Sequence, residues 1–212
     1  MKTFIFTLIL FVFLAWLRYK LTKTSQFSDS LRKEFWDKES QANSTRNKDF
    51  SEINFINIPI YKLSPISLNK QEAKYYYNII NDLSKEKIAR LSDYSNTELK
   101  FKYGAGNYRK LSKFDSNYIL LITTFQKLAN ILFVDELYSE AQIVLEVAIK
   151  YCSSDICHSF VLLAEIYIIL DKKDLITELI SFANQSNYRN KDSIIECLNN
   201  VCTHPSKDKS HI

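Results

Sequence analysis

"FQKLANILFVDELYSEAQIVLEVAIKYC", Phe125 to Cys152, spaces large and small apolar residues at helical intervals and holds no residue suited to catalysis. Phe125, Leu128, Ala129 and Leu132 share one face of a first helix, and Tyr138, Ala141, Leu145 and Ala148 share one face of a second. Thirty-five residues later the pattern returns as Phe160, Leu163, Ala164 and Tyr167, followed by Ile176, Ile180 and Ala183. Small side chains at Ala129 and Ala164 let paired helices approach closely, and Phe125 and Tyr167 fill the space where they splay. The stretch predicts helical hairpins that stack on neighbours and offer a binding surface.

Composition agrees with an all-α chain. At 212 residues, 46% hydrophobic and 25% charged, there is enough apolar material for one respectable core, with a second small one as the alternative. Only Gly104, Gly106, Pro59, Pro65 and Pro205 interrupt it, so long helices are permitted and glycine-rich phosphate loops are nearly excluded. The "GAGN" stretch lacks the third glycine, the Lys-Ser/Thr pair and a preceding strand, so it reads as a turn.

The N-terminus, "MKTFIFTLILFVFLAWLRYK", has an uncharged apolar run from Thr3 to Leu17. At ~1.5 Å per residue that run covers roughly 23 Å, and interfacial Lys2, Trp16 and Tyr19 extend its reach, so residues 3–19 are expected to meet the membrane. A cleaved secretory signal is the rival reading, but the run closes in bulky "LAWLRYK" rather than a small-x-small site, which favours an uncleaved anchor. Arg18, Lys20, Lys23, Arg32 and Lys33 follow the run, against Lys2 and the α-amino group before it, which puts the C-terminal body in the cytoplasm. Residues 18–48 hold eight Lys or Arg against four Asp or Glu, a surplus equal to the whole chain's +4. The remainder is neutral overall, so a nucleic-acid partner, which would want a basic face on the folded domain, loses support and none is expected.

Cys152, Cys157, Cys197 and Cys202 form two C-x4-C pairs with His158 and His204 nearby. A five-residue step on a helix rotates two ligands apart, so the cysteines read as small apolar packers in a reducing compartment, with a zinc site or a disulfide as the alternatives. No His-Glu pair with metal spacing, nucleophile elbow or phosphate loop is present, so no catalytic residue, cofactor or metal is expected.

Along the chain the expected organisation is a transmembrane anchor (1–20), an amphipathic juxtamembrane helix (21–49), an extended linker (50–69), a helical domain (70–203) and a loose tail (204–212). Phe27, Leu31 and Phe35, four apart with Trp36 beside them, put an apolar stripe on the juxtamembrane helix. It either lies on the membrane surface or continues the anchor helix. Ile53, Phe55, Ile56, Ile58, Ile60 and Leu63 make the linker too apolar to be free, so it should lie against the domain. A helix is expected from Lys70 to Leu91, where Ala73, Tyr76, Tyr77, Ile80, Leu83 and Leu91 form a stripe that Lys87 breaks, with Tyr75–Tyr77 read as packing. Ser95 and Glu98 form a capping-box pattern for a short helix that Gly104 should end.

The repeat over Ile122–Ala183 resembles the tetratricopeptide repeat, a helix-turn-helix unit of about 34 residues. It departs from that pattern at the turn glycine, which is Glu136 or Asp171 here, at Ile176 and in having no closing proline. The stretches "FWDKESQANSTRNKD" and "SNTELKFKYGAGN" look like uncharacterised single-span bacterial proteins carrying such repeats, a likeness that brings no activity with it. The resemblance implies an N-terminal transmembrane helix followed by a small hairpin stack, with a concave face built by the first helix of each pair. In that register the face falls on Thr123, Gln126, Asn130 and Phe133, then on His158, Val161, Glu165 and Ile168. Gln126, Asn130, Phe133, Val161, Glu165 and Ile168 are the expected partner-binding residues. Glu165 is expected to draw a basic segment rather than a terminal carboxylate. The implied function is a membrane-anchored, cytoplasmic protein-interaction module for a protein or peptide. The alternatives are a structural subunit of a membrane complex that uses the anchor and juxtamembrane helix and, remotely, an enzyme.

Overall fold

The computed structural model describes residues 2–64, 66 and 69–203, and among them it contains eight α-helices and no strand. The expected tail, 204–212, lies outside the described residues. Helix α1 runs unbroken over Lys2–Asn43, because no Gly or Pro falls within it. The expected division into 1–20 and 21–49 is thus one helix of about 63 Å that ends at Asn43. Ile9 to Leu14, Trp16, Leu17, Tyr19 and Leu21 are all exposed on it.

Backbone packing divides the chain into two compact units, Met1–Phe50 with Tyr94–Arg109 and Ser51–Asp93 with Lys110–Ile212. The domain expected over 70–203 differs accordingly: 94–109 groups with α1, and the linker belongs to the second unit.

In the first unit α3 (Asn96–Tyr103) packs on the end of α1, burying Ala42, Leu99 and Tyr103. The Ser95 hydroxyl accepts from the Glu98 N–H while the Glu98 carboxylate accepts from the Ser95 N–H, so the capping box forms as its spacing predicts. Glu39 accepts from the Lys100 ammonium and, at 2.8 Å, from the Thr97 hydroxyl. The Lys100 hydrogen bond, helped by Thr97, holds the Glu39 carboxyl below the usual range. Gly104 ends α3 at φ 90, and its N–H donates to Lys100 O at 2.8 Å. The Asn107 side-chain amide donates to Lys48 O at 2.7 Å and Tyr103 O at 2.9 Å, and the Lys48 N–H donates to the same Tyr103 carbonyl. The stretches "FWDKESQANSTRNKD" and "SNTELKFKYGAGN" therefore supply both sides of one small interface.

In the second unit the linker buries Ile53, Leu63 and Ile66, stacks Phe55 edge-on against Phe114, and places a 3-10 turn (Ile60–Leu63) against α5. Helix α2 covers Gln71–Leu83 and stops two turns short of the expected Leu91. Lys85, Glu86 and Lys87 interrupt its stripe, and the next residues run extended instead. There Ile88, Ala89 and Leu91 still reach the core, and their backbone finds partners elsewhere. Ile88 O accepts from the Ile56 N–H, the Ala89 N–H donates to Phe114 O, and the Leu91 N–H donates to the Asp115 carboxylate.

The rest is α4 (Tyr108–Val134), α5 (Tyr138–Glu146) extended by a π turn over Val147–Tyr151, α6 (Cys157–Ile169), α7 (Asp174–Gln185) and α8 (Lys191–Thr203). Among the described residues, Ala105–Val134 is the one helix that by length and composition qualifies to cross a membrane, with a mean hydropathy of 1.3; the expected N-terminal run is not singled out in this way. Half of that window is buried, with Leu111, Leu121, Phe125, Leu128 and Leu132 in the core, so α4 serves as the core helix of the second unit. Helix α5 packs on α6, α6 on α7 and α8, and α7 on α8.

Candidate functional site

Two helix ends set the register of the candidate face. The Leu137 N–H donates to Leu132 O and the Glu136 N–H to Phe133 O; 35 residues on, Lys172 donates to Tyr167 O and Asp171 to Ile168 O. Each pair is the double bond of a Schellman cap, with Glu136 (φ 61) and Asp171 (φ 56) in the left-handed position. Those are the turn positions where the repeat pattern would place glycine. Helices α4 and α6 therefore end alike and present equivalent positions alike.

Most of the large and small residues that define the repeat are interior: Phe125, Ala129, Ala141, Leu145, Phe160, Ala164 and Ala183 are buried, whereas Tyr138 and Ile180 are half-buried. Ala148 is buried within the π turn, and the Tyr167 hydroxyl, one helix on, donates to the Glu146 carboxylate at 2.8 Å.

The six expected partner-binding residues are all half-buried. Gln126, Asn130 and Phe133 lie along α4, and Val161, Glu165 and Ile168 along α6. Thr123 and His158 are exposed, and the Thr123 hydroxyl turns back to Ile119 O at 2.8 Å. One hydrogen bond joins the two helices, the buried Ser159 hydroxyl donating to Gln126 Oε1, and within α4 Gln126 Nε2 in turn donates to Asn130 Oδ1 at 2.9 Å. Phe133 meets Tyr138 edge to face at 5.4 Å. Glu165 is half-buried on α6 and has an interaction within the chain.

Ser159 is a site residue that the repeat positions did not indicate; its signal is a lone hydroxyl in the apolar "CHSFVLL". Exposed Ile119 and Leu120 at one end, with Val134 and Ile169 at the other, also extend the face beyond the expected set. They fall at helical steps of three and four from Thr123, Asn130 and Glu165.

The described linker residues have partners in the second unit. Beyond Ile88, Phe114 and α5, Lys62 sits over the Tyr151 ring at 4.6 Å, and its hydrogen bond to Tyr151 raises its pKa. Tyr61, Lys62 and Tyr151 line an open cleft of about 300 Å³, and Lys150, Tyr167 and Phe182 line another of about 150 Å³. Ligand pockets usually measure ~300 to 1,000 Å³ and are well enclosed, so neither cleft is a strong small-molecule site.

Burial is the main cause of the shifts at the buried thiols and phenols. Burial pushes the Cys152 thiol up to about 12, and burial together with neighbouring Cys197 does the same to Cys157. Cys157 thus meets Cys197 across α6 and α8 rather than its sequence neighbour Cys152. Among the described residues, no three His, Cys, Asp or Glu come together as a metal would need. Tyr118 donates to Ser153 O at 2.8 Å and to Asp155 at 3.3 Å, Arg90 pairs with Asp93 at 3.1 Å and lies 3.7 Å from Asp155, and its guanidinium covers the Tyr188 ring. Burial, reinforced by Asp155, raises the Tyr118 pKa, so its phenol stays protonated and pins the loop after α5.

No family model, curated protein or solved structure matches the chain.

Proposed function

We propose that this chain is a single-span, membrane-anchored interaction module. In this reading residues 3–19 of α1 cross the bilayer, the body lies in the cytoplasm, and the joined face of α4 and α6 holds a protein or peptide segment. The observation that carries the reading is the row of half-buried side chains at equivalent positions of the two helices, bridged by Ser159 and Gln126. Phe133, Val161 and Ile168 offer apolar anchors, and Asn130 offers amide donors to a partner backbone.

Three features support a tetratricopeptide-like stack. Most repeat residues are buried, α4 and α6 share a cap geometry, and α5 to α8 follow a contact order in which each second helix meets the next first helix and α6 meets α8. Helix α8, with Ile194 and Leu198 buried, would close the stack. The anchor is supported by exposed apolar side chains all round α1 from Ile9 to Leu17, a surface that water does not favour and hydrocarbon does.

Affinity capture with the full chain tests the reading. Phe133→Ala combined with Ile168→Ala should weaken capture of the partner at least ~30-fold, the scale of a truncated hot spot of ~2 kcal/mol. The second reading, a structural subunit held through α1, is favoured by exposed Leu31, Phe35 and Trp36. It predicts instead that Leu31→Ala with Phe35→Ala abolishes capture while the α4/α6 variant retains it.

A further inference from the structure

Helix α1 carries a second periodicity that neither the anchor nor the α4/α6 face uses. Counting from Leu10 in alternate steps of four and three reaches Leu14, Leu17 and Leu21. The next two steps are Thr24 and Ser28, small and uncharged, and the last two are Leu31 and Phe35. This is a heptad spacing, whose 3.5-residue period keeps one seam of a helix turned toward a partner helix. Within the anchor any stripe is apolar, so the informative part is Arg18 to Asp37. All eight charged residues of that segment lie off the seam.

The seam is bare where it leaves the anchor: Leu21 is 64% exposed, Leu31 50% and Phe35 55%. The next step after Phe35 is Lys38, exposed and paired with Glu34, which ends the apolar seam; the step after it is Ala42, fully buried where α3 packs on α1. This face of α1 is therefore a helix-packing face that the chain covers at its end and leaves open upstream. A lipid surface does not cover it. Helix α1 is unbroken, so with Tyr19 at the interface Leu31 and Phe35 stand about 18 and 24 Å further along it.

We propose that α1 pairs with α1 of a second copy of this chain, as a parallel two-stranded coiled coil from the inner half of the anchor to Phe35. This rests on the anchor reading, because two copies inserted the same way present their seams in parallel and at one height. A heteropartner would need its own matching heptads; a second copy has them. The flanking charges allow the pairing. In a parallel pair Lys20 comes opposite Ser25 and Phe27 opposite Arg32. The first like pair is Glu34 with Glu39, and Glu39 already holds the Lys100 ammonium. Confinement to one membrane raises the effective concentration of copies, so a short seam suffices.

The test is oxidative crosslinking of the full chain in native membranes, with single added cysteines at seam positions (Thr24→Cys, Ser28→Cys) and off it (Lys23→Cys, Lys33→Cys). The unsubstituted chain sets the background from its own cysteines. A disulfide-linked species of twice the chain mass should form at the seam positions at least five-fold more than at the others. Equal crosslinking at all four, none above background, or an adduct of another mass would overturn the proposal. Sedimentation of the same samples separates the causes: a membrane-bound chain without seam crosslinks refutes the dimer alone, and a soluble chain refutes the anchor and the dimer together.

Discussion

Gly104 meets two demands at once. Its φ of 90 is a conformation L side chains rarely adopt, and a Cβ there would lie 2.5 Å from Asn47 Cα and 2.7 Å from Arg46 O. At Gly106 the added carbon would meet only the movable end of the Asn47 side chain. Gly104→Ala should therefore cost roughly 2 kcal/mol or more, and Gly106→Ala clearly less, read from denaturant midpoints of the detergent-solubilised chain. Asp171 occupies a glycine-like position with a side chain, so Asp171→Gly should raise stability by about 0.5 to 1 kcal/mol; a loss of that size would contradict the strained cap. The thiols of Cys152 and Cys157, raised from the ordinary 9.0 to about 12, should alkylate at pH 8 at least ~100-fold more slowly than in the unfolded chain. Their folded pKa lies above the unfolded one, so the stability they contribute is full below about pH 9 and is lost as pH rises toward 12.

At the scale of the elements, the close approach at Ala164 is the most exposed to test. That residue is fully buried in α6, which packs against α5, α7 and α8, so Ala164→Leu should overpack the site and cost roughly 1 to 3 kcal/mol. A neutral result would mean that the helices do not meet there. What the sequence announced and what it hid divide along physical lines. Local signals were legible: the Ser95–Glu98 box and Gly104 bound α3, and the large-small spacing marked the faces of α4 to α7. The early end of α2 was not, because Ile88, Ala89 and Leu91 keep an apolar pattern while their backbone bonds to Ile56, Phe114 and Asp115, partners distant in sequence. The grouping of Tyr94–Arg109 with α1 was hidden for the same reason, since Glu39 and Lys100 are 61 residues apart. On the candidate face the six expected positions share one degree of exposure, whereas the Ser159 bridge depends on a neighbour that no single-helix pattern reveals.

For the whole molecule, the proposed function requires an anchor, a cytoplasmic body and a peptide-binding face to act together. The positive charges after the apolar run predict that a cysteine introduced at Ser206 reacts with a membrane-impermeant thiol label only after permeabilisation. Ready labelling of intact cells would reverse the topology. The central claim is that the α4/α6 face is occupied by another protein, and photocrosslinking in living cells addresses it most directly. A photoreactive amino acid would replace Phe133 or Ile168 on the face, with exposed Lys173 as the control. The account predicts the same discrete heavier adduct, of a mass unlike a dimer of the chain, from Phe133 and Ile168 and none from Lys173. Crosslinks confined to the chain itself, or equal adducts from all three positions, would contradict it.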